Sequence, residues 1–179
     1  MSQQSSTLIT FAAEVVTRAR PEAVIAVLRA PREHLAWAGT RSPQSTFRLL
    51  TLEADEPLAS VGSTFRSTGA AANGTFHDTS VVTVAEPGAF AFRTTSRLDR
   101  KHGAELRLTF DHRYDVTPSG DGARIAYACR AHDANYVPYW LQPVMRPFTR
   151  RMIQRLMTRQ LHLLATLAEE ESTSGSLRP

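Results

Sequence analysis

Cysteine, lysine and long apolar runs are nearly absent from this chain, and each absence excludes something. A single cysteine, Cys129, in 179 residues rules out an internal disulfide and fits a reducing compartment. No stretch approaches the ~18 consecutive apolar residues of a membrane-spanning helix, so no span is expected. The first residues, MSQQSST, have neither a basic start nor an apolar h-region, so no secretory signal is expected and the cytoplasm is the expected location. The six histidines, at 34, 77, 102, 112, 132 and 162, show no HxH or HExxH spacing. No second cysteine stands near Cys129, and the segment AANGTF is a turn rather than a phosphate-cradling loop. Neither a metal nor any other cofactor is therefore expected. The 21 basic residues include one lysine, Lys101, and are interleaved with 17 acids despite the net charge of +4. That mixing argues against a nucleic-acid partner. The one dense basic group, Arg146, Arg150, Arg151, Arg155 and Arg159, is expected to be a solvated helix face.

What remains is ordinary globular material, 42% hydrophobic and 21% charged, with no linker or repeat. One domain is expected over residues 8–170, with polar tails at 1–7 and 171–179. A first strand is predicted over Leu8–Thr17. Pro21 then opens a helix carrying Ala23, Val24, Val27 and Leu28, and Pro31 ends it and starts a second short helix through Glu33 and Trp37. Strands are predicted over Phe47–Glu53, Val61–Thr68, Thr75–Ala85, Ala89–Ser96, Glu105–Val116 and Arg124–His132, separated by turn clusters such as Glu86-Pro87-Gly88. Short connections make successive strands antiparallel neighbours. A helix over Pro143–Glu169 closes the chain, its start irregular or kinked because of Pro143 and Pro147. The fold class is α+β: a seven-stranded antiparallel sheet around a long C-terminal helix.

The strand ending at Val116 alternates almost without error. Leu106, Leu108, Phe110, His112, Tyr114 and Val116 share one parity, so His112 and Tyr114 point inward beside Phe110. On the next strand Tyr127 shares the inward parity with Ile125, Cys129 and Ala131. In Thr75–Ala85 the even positions Phe76, Asp78, Ser80, Val82 and Val84 lean inward, and Phe65 and Phe92 add wall. Adjacent pairs such as Asp111-His112 and His77-Asp78 leave opposite faces and cannot act as local dyads. A partner for His112 must come from elsewhere: Tyr127, Asp78 or Gln160. A histidine has the right intrinsic basicity to move a proton alpha to a carbonyl, and a tyrosine hydroxyl can hydrogen-bond the developing enolate. The competing reading is that these are satisfied core residues or simple ligand contacts.

On the last helix Met145, Met152, Ile153, Leu156, Leu163, Leu164 and Leu167 form an apolar arc. Thr149 and Gln160 break it near its centre, and Arg146 falls on its margin. Buried polar groups need partners, which a cavity with a ligand provides. Helix back-bonding by Thr149 and a backbone partner for Gln160 would serve equally. Between strand and helix, Tyr136, Tyr139 and Trp140 suit the rim of an entrance, with Arg146 placed to meet a ligand carboxylate or phosphate.

This order of elements, with the phrases RARPEAVIAVLRAPREHLAWAGT and VGSTFRSTG, resembles the START-like helix-grip superfamily, also called SRPBCC, and its polyketide cyclase/dehydrase branch in particular. The likeness runs from about Leu8 to Ala168 and rests on the Pro21-Glu22-Ala23-Val24 helix start, Trp37, and Val61-Gly62-Ser63 opening a strand. It implies a curved sheet gripping the last helix around an apolar cavity. It carries no universal catalytic motif. The expected function is binding of an apolar, oxygenated small molecule, free or as a carrier-bound intermediate, with cofactor-free cyclisation or dehydration by His112, Tyr114 and Tyr127. The alternative is a non-catalytic carrier or sensor of a hydrophobic ligand. The chain is expected as a monomer or homodimer.

Overall fold

The alternating segments pair into a single curved antiparallel sheet. The computed structural model describes residues 7–40, 48–71, 74–101, 105–132 and 142–175. Its strands are β1 (Thr7–Thr17), β2 (Arg48–Ala54), β3 (Thr64–Ala71), β4 (Gly74–Glu86), β5 (Ala89–Arg100), β6 (Leu106–Ser119) and β7 (Gly122–His132). Seven strands lie in the order β1-β7-β6-β5-β4-β3-β2. Consecutive strands from β2 to β7 are hairpin neighbours, and β1 closes on β7. Two helices follow β1, α1 (Pro21–Arg29) and α2 (Pro31–Leu35), and the chain ends in α3 (Gln142–Gly175).

Local chemistry explains these boundaries. Pro21 occupies the first turn of α1, where its missing N–H costs nothing, and Glu22 sits at the positive end of the helix dipole. The residue before Pro31 is extended, as a proline requires, so α1 stops at Arg29. Val24, Ile25, Val27 and Leu28 form its buried face. The second helix is shorter than expected: it gives way at Ala36 to a π-helical turn, Ala36–Thr40, that carries Trp37.

Several expectations need correction. Val61 and Gly62 form a turn ahead of β3 rather than opening it, and Val61 is 66% exposed. Gly62 has φ +92°, a conformation glycine adopts without strain, and its N–H donates to the Val82 carbonyl at 2.9 Å. In β4 a bulge between Val82 and Val84 shifts the register, so Ala85, not Val84, lies opposite Phe90 on the inner face. The start of α3 shows no break: helix is continuous from Gln142 through Pro147. It also passes the expected end at Glu169 and reaches Gly175, with Ser172 and Thr173 hydroxyls donating to the Ala168 and Glu169 carbonyls at 2.8 and 3.0 Å.

The buried stripe of α3 is Leu161, Leu164, Ala165 and Ala168, at i, i+3, i+4 and i+7, flanked by Gln160 and Leu167. Leu163, expected within the arc, and Leu156 are only partly buried. Two buried alanines, Ala165 and Ala168, bring the helix close to β1. An anchor fixes this end. Glu169 Oε1 accepts from the Thr17 hydroxyl at 2.7 Å and from the Arg18 N–H at 2.8 Å. These bonds hold its carboxyl below the usual glutamate range.

Candidate functional site

Pairing register turns single inward side chains into rows across the sheet. One row runs Val82, Phe92, His112, Cys129 and Phe11. The next runs Ala85, Phe90, Tyr114, Tyr127 and Ala13. Toward the other edge come Phe65, Ser80, Thr94 and Phe110, then Ser67, Asp78, Ser96 and Leu108. Apolar and aromatic side chains thus give way to hydroxyls and one carboxylate from row to row.

His112 sits where the first two rows meet. Its Nδ1 is 2.8 Å from the Tyr127 hydroxyl, and its ring stacks on Phe92 with centroids 4.6 Å apart and planes 18° from parallel. Of the three partners the sequence allows for His112, geometry selects Tyr127. Asp78 lies two strands and four residues away, about 16 Å by strand geometry. Burial is the main cause that brings the His112 pKa down to about 4, with a smaller push in the same direction from His34 and a small opposing pull from Asp111. The imidazole is therefore neutral at pH 7. Tyr127 also hydrogen-bonds the Cys129 thiol. Burial raises both groups, the thiol to about 11 and the phenol well above its ordinary value. A hydroxyl has one proton to give. When Tyr127 donates to His112 Nδ1, the imidazole presents Nε2–H. When Tyr127 donates to Cys129, Nδ1–H donates to Tyr127 and Nε2 presents a lone pair. One side chain can thus offer either a donor or an acceptor.

Tyr114 packs on Tyr127 at 4.7 Å and meets Trp37 edge-on at 6.5 Å. Its hydroxyl has no hydrogen-bond partner among the described residues, and burial moves its pKa up. Trp37 is 5% exposed, and its buried Nε1–H has no acceptor among the described residues. An orphaned N–H of this kind is rare, because leaving it unpaired costs about 1–3 kcal/mol.

His34 is the residue that sequence reasoning missed. It donates Nε2–H to the Leu28 carbonyl at 2.8 Å, which leaves Nδ1 as an acceptor. Trp37, Phe65, Phe90 and Phe92 surround its ring at centroid distances of 5.2 to 6.2 Å. Desolvation lowers its pKa to about 4, opposed by the bond to Leu28. The signal was present: Pro31, His34, Leu35 and Ala38 share helical spacing with one face inward.

Asp78 faces inward as expected and hydrogen-bonds Ser96, with its Oδ1 buried and unpartnered among the described residues. Burial, the largest influence, raises its pKa to about 6, against opposing effects of Ser96 and His77. Its chain neighbour His77 turns outward to Asp99 at 3.3 Å. Asp111 likewise turns outward, to Arg93 at 2.7 Å and His132 at 2.9 Å. Phe65 and Phe92 are buried, Phe110 and Leu156 partly so, and Gln160 is 8% exposed on the inner side of α3. Tyr136, Tyr139 and Trp140 lie outside the described residues, as do the side chains of Arg146, Thr149 and Met152. Among the described residues no His/Cys/Asp/Glu group has the geometry to hold a metal, and no helix is long and apolar enough to cross a membrane.

Comparison with known proteins adds one family and several solved structures of the same fold. A family model described as "Polyketide cyclase / dehydrase and lipid transport" matches residues 9–169. No curated protein matches the chain. An uncharacterised protein from Rhizobium leguminosarum superposes with a TM-score of 0.64 at 11% identity, covering 95% of this chain and 99% of its own. The protein TTHA0849 from Thermus thermophilus gives 0.60 at 13%, covering 92% and 99%. The protein Ara h 8.0201 gives 0.51 at 9%, covering 88% and 98%. At such identities the likeness shows the fold alone.

Proposed function

The chain belongs to the polyketide cyclase/dehydrase and lipid transport family, of START-like helix-grip type, and from that premise we propose that it binds an apolar, oxygenated small molecule between the sheet and α3, and that His112 moves a proton in its cyclisation or dehydration. One observation carries the reading: the 2.8 Å contact of His112 Nδ1 with Tyr127 orients the imidazole and leaves Nε2 unengaged on an otherwise aromatic face. Family membership supports the binding half, since a hydrophobic ligand is common to its enzymes and its carriers.

The chemistry follows from the donors and acceptors. A ligand carbonyl oxygen accepts from the Tyr114 hydroxyl or from Trp37 Nε1–H, which relieves an orphaned donor. With Tyr127 turned to Cys129, His112 Nε2 takes a proton from the carbon next to that carbonyl, and the hydroxyl steadies the enolate. The enolate carbon attacks a second carbonyl of the same chain to form a ring. His112 returns the proton to the new alkoxide, and loss of water follows. The ligand is apolar apart from its oxygens, because the walls are Phe65, Phe90, Phe92 and Phe110.

A second reading, a carrier or sensor without chemistry, is favoured by the depressed pKa of about 4. An imidazole that holds its proton so weakly is a modest base at pH 7. Turnover of His112→Ala separates the two. For an enzyme, a folded His112→Ala protein still binds a poly-β-ketone analogue but loses ~10²–10⁴-fold in water release, the usual contribution of a general acid–base group. Tyr114→Phe loses less, because one hydrogen bond goes and the ring stays. Unchanged turnover per folded molecule in His112→Ala removes the catalytic proposal. Binding of the analogue without any turnover in the wild type selects the carrier.

A further inference from the structure

Among the described strands, Asp78 is the one acid turned to the inner face of the sheet. Asp99, Asp111 and Asp115 point outward, each to a histidine or arginine. Ser67 of β3 and Ser96 of β5 stand directly opposite Asp78, and both are buried. In the next row Ser80 and Thr94 satisfy each other at 2.8 Å. Asp78 has no such closure: Ser96 donates to its carboxyl, but Oδ1 is buried without a partner among the described residues. Apolar side chains bound this polar band on both sides. Phe90 and Phe92 lie toward His112, and Phe76 lies beyond, its ring over Gly69 where any Cβ would strike it.

Folding gives no reason for this carboxyl. A buried acceptor left unpaired destabilises the fold, and an apolar side chain such as Val82, on the same face of β4, avoids that loss. Asp78 nevertheless keeps part of its surface accessible, and rotation about χ2, which is soft in a carboxylate, brings either oxygen to the open side. The chemistry there narrows what can fill it. A ligand O–H both gives and takes a hydrogen bond, so it donates to Asp78 while accepting from Ser67. A ketone would leave the carboxylate unmet. An ammonium would meet it, but only by losing its own water among Phe65, Phe76 and Leu108, which makes the pair costly to bury.

We propose that Asp78, flanked by Ser67 and Ser96, binds a hydroxyl at the far end of the same ligand whose carbonyl lies beside His112. The ligand is then a long hydroxyketone, its two oxygenated ends separated by an apolar middle that crosses Phe92 and Phe110. His112 and Asp78 are about 16 Å apart by strand geometry, which sets the length such a molecule has to span. This inference rests on the reading of the interior as a binding cavity and adds to it the length of the ligand and the group at its other end.

Isothermal titration at about pH 8, where Asp78 with its pKa of about 6 is ionised, compares dodecan-2-one with its ω-hydroxy derivative. The wild type should bind the hydroxyketone about tenfold more tightly, because a site that keeps a buried polar group for a hydroxyl rejects the analogue lacking it. Asp78→Leu should abolish that preference, and Asp78→Ala should do the same if leucine prevents folding. With hexan-2-one and its ω-hydroxy derivative the gain should shrink to less than about threefold, since the short chain cannot reach both ends. Equal affinity of the wild type for the two long ketones overturns the inference and leaves the cavity reading standing, as does a preference that survives both variants. A gain as large in the short pair shows Asp78 acting alone and overturns the two-ended ligand. Tighter binding of the ω-amino ketone than of the hydroxyketone, lost in Asp78→Leu, overturns it in favour of a cation. If neither long ketone binds, the cavity reading itself fails and the inference with it.

Discussion

The space between the sheet and α3 has two ends, and they are built from different residues. At one end Val24, Val27, Leu28, Val116, Ile125, Leu164 and Ala168 are all no more than 3% exposed, and no charged side chain stands among them. At the other, Leu108, Phe110, His112 and Asp78 keep part of their surface accessible although they point inward. Hydroxyls of Ser67, Ser80, Thr94 and Ser96 line the sheet there, with Ser80 and Thr94 bonded at 2.8 Å. One helix serves both ends. Its residues from Gln160 to Ala168 press onto the closed end, whereas Leu156 and Met157, a turn earlier, stay partly exposed. Packing that leaves nothing to fill makes the stable end. Polar side chains with unmet hydrogen bonds make the end where a ligand would be accommodated.

If that division holds, the two ends should respond differently to truncation. Leu164→Ala removes a fully buried side chain from the closed end and should cost ~2–5 kcal/mol in denaturant unfolding, while the surviving folded protein binds ligand normally. Phe110→Ala deletes a larger side chain but a partly accessible one, and should cost about 1 kcal/mol while weakening ligand binding. Equal losses of stability in the two variants would break the comparison.

The next effect is a pH dependence, and its sign follows from burial. His34 and His112 have pKa values lowered from 6.5 to about 4, so between those values the unfolded chain takes up protons that the folded chain refuses. Stability from this source is full above pH 6.5 and is lost as pH falls toward 4. For His34, whose ring is sealed, the shift corresponds to about 3 kcal/mol. Asp78 works the other way. With its pKa raised from 3.8 to about 6, it is protonated in the folded state first, so its contribution grows as pH falls from about 6 to about 4. His34→Gln, which can still donate to the Leu28 carbonyl, should flatten the acid side of the stability curve. Asp78→Asn should steepen it. An unchanged curve in His34→Gln would mean that its ring is not dry.

How much of this was legible in the sequence depended on the period being read. The two-residue alternation of β6 and β7 placed His112, Tyr114 and Tyr127 on one face, and the structure puts them in adjacent rows. Strand parity fails only where a bulge intervenes, as between Val82 and Val84, because no side-chain pattern marks an extra residue. Helical stripes were harder to read. A histidine census judged His34 by metal spacing, although Pro31, His34, Leu35 and Ala38 formed a stripe that pointed it inward. On α3 the large apolar residues drew the arc off centre, because close approach to β1 rests on Ala165 and Ala168. The pairing of His112 with Tyr127 rather than Asp78 or Gln160 needed strand order, which local pattern does not hold.

The smallest effect tests whether the closed end is also where α3 is fastened. Glu169 accepts two hydrogen bonds at the end of β1, one from the Thr17 hydroxyl and one from the Arg18 backbone N–H. Glu169→Ala should therefore destabilise the fold by about 1 kcal/mol, less than a fully buried charge-assisted pair would lose, because the carboxylate is partly exposed to water. Glu169→Gln keeps an acceptor oxygen and should recover part of that loss. The sign with pH is opposite to that of the histidine-to-acid series only in mechanism, not in direction. The folded pKa is lowered, so the wild type has this stability in full above the ordinary glutamate value of 4.5 and loses it as pH falls through the folded one. Glu169→Ala lacks it throughout, so the two melting temperatures should converge in acid. Because the anchor lies at the far end of the helix from His112, ligand affinity per folded molecule should stay unchanged. A matching loss of affinity would show that the grip of α3 on β1 reaches the open end, and the two ends would then be one cooperative unit.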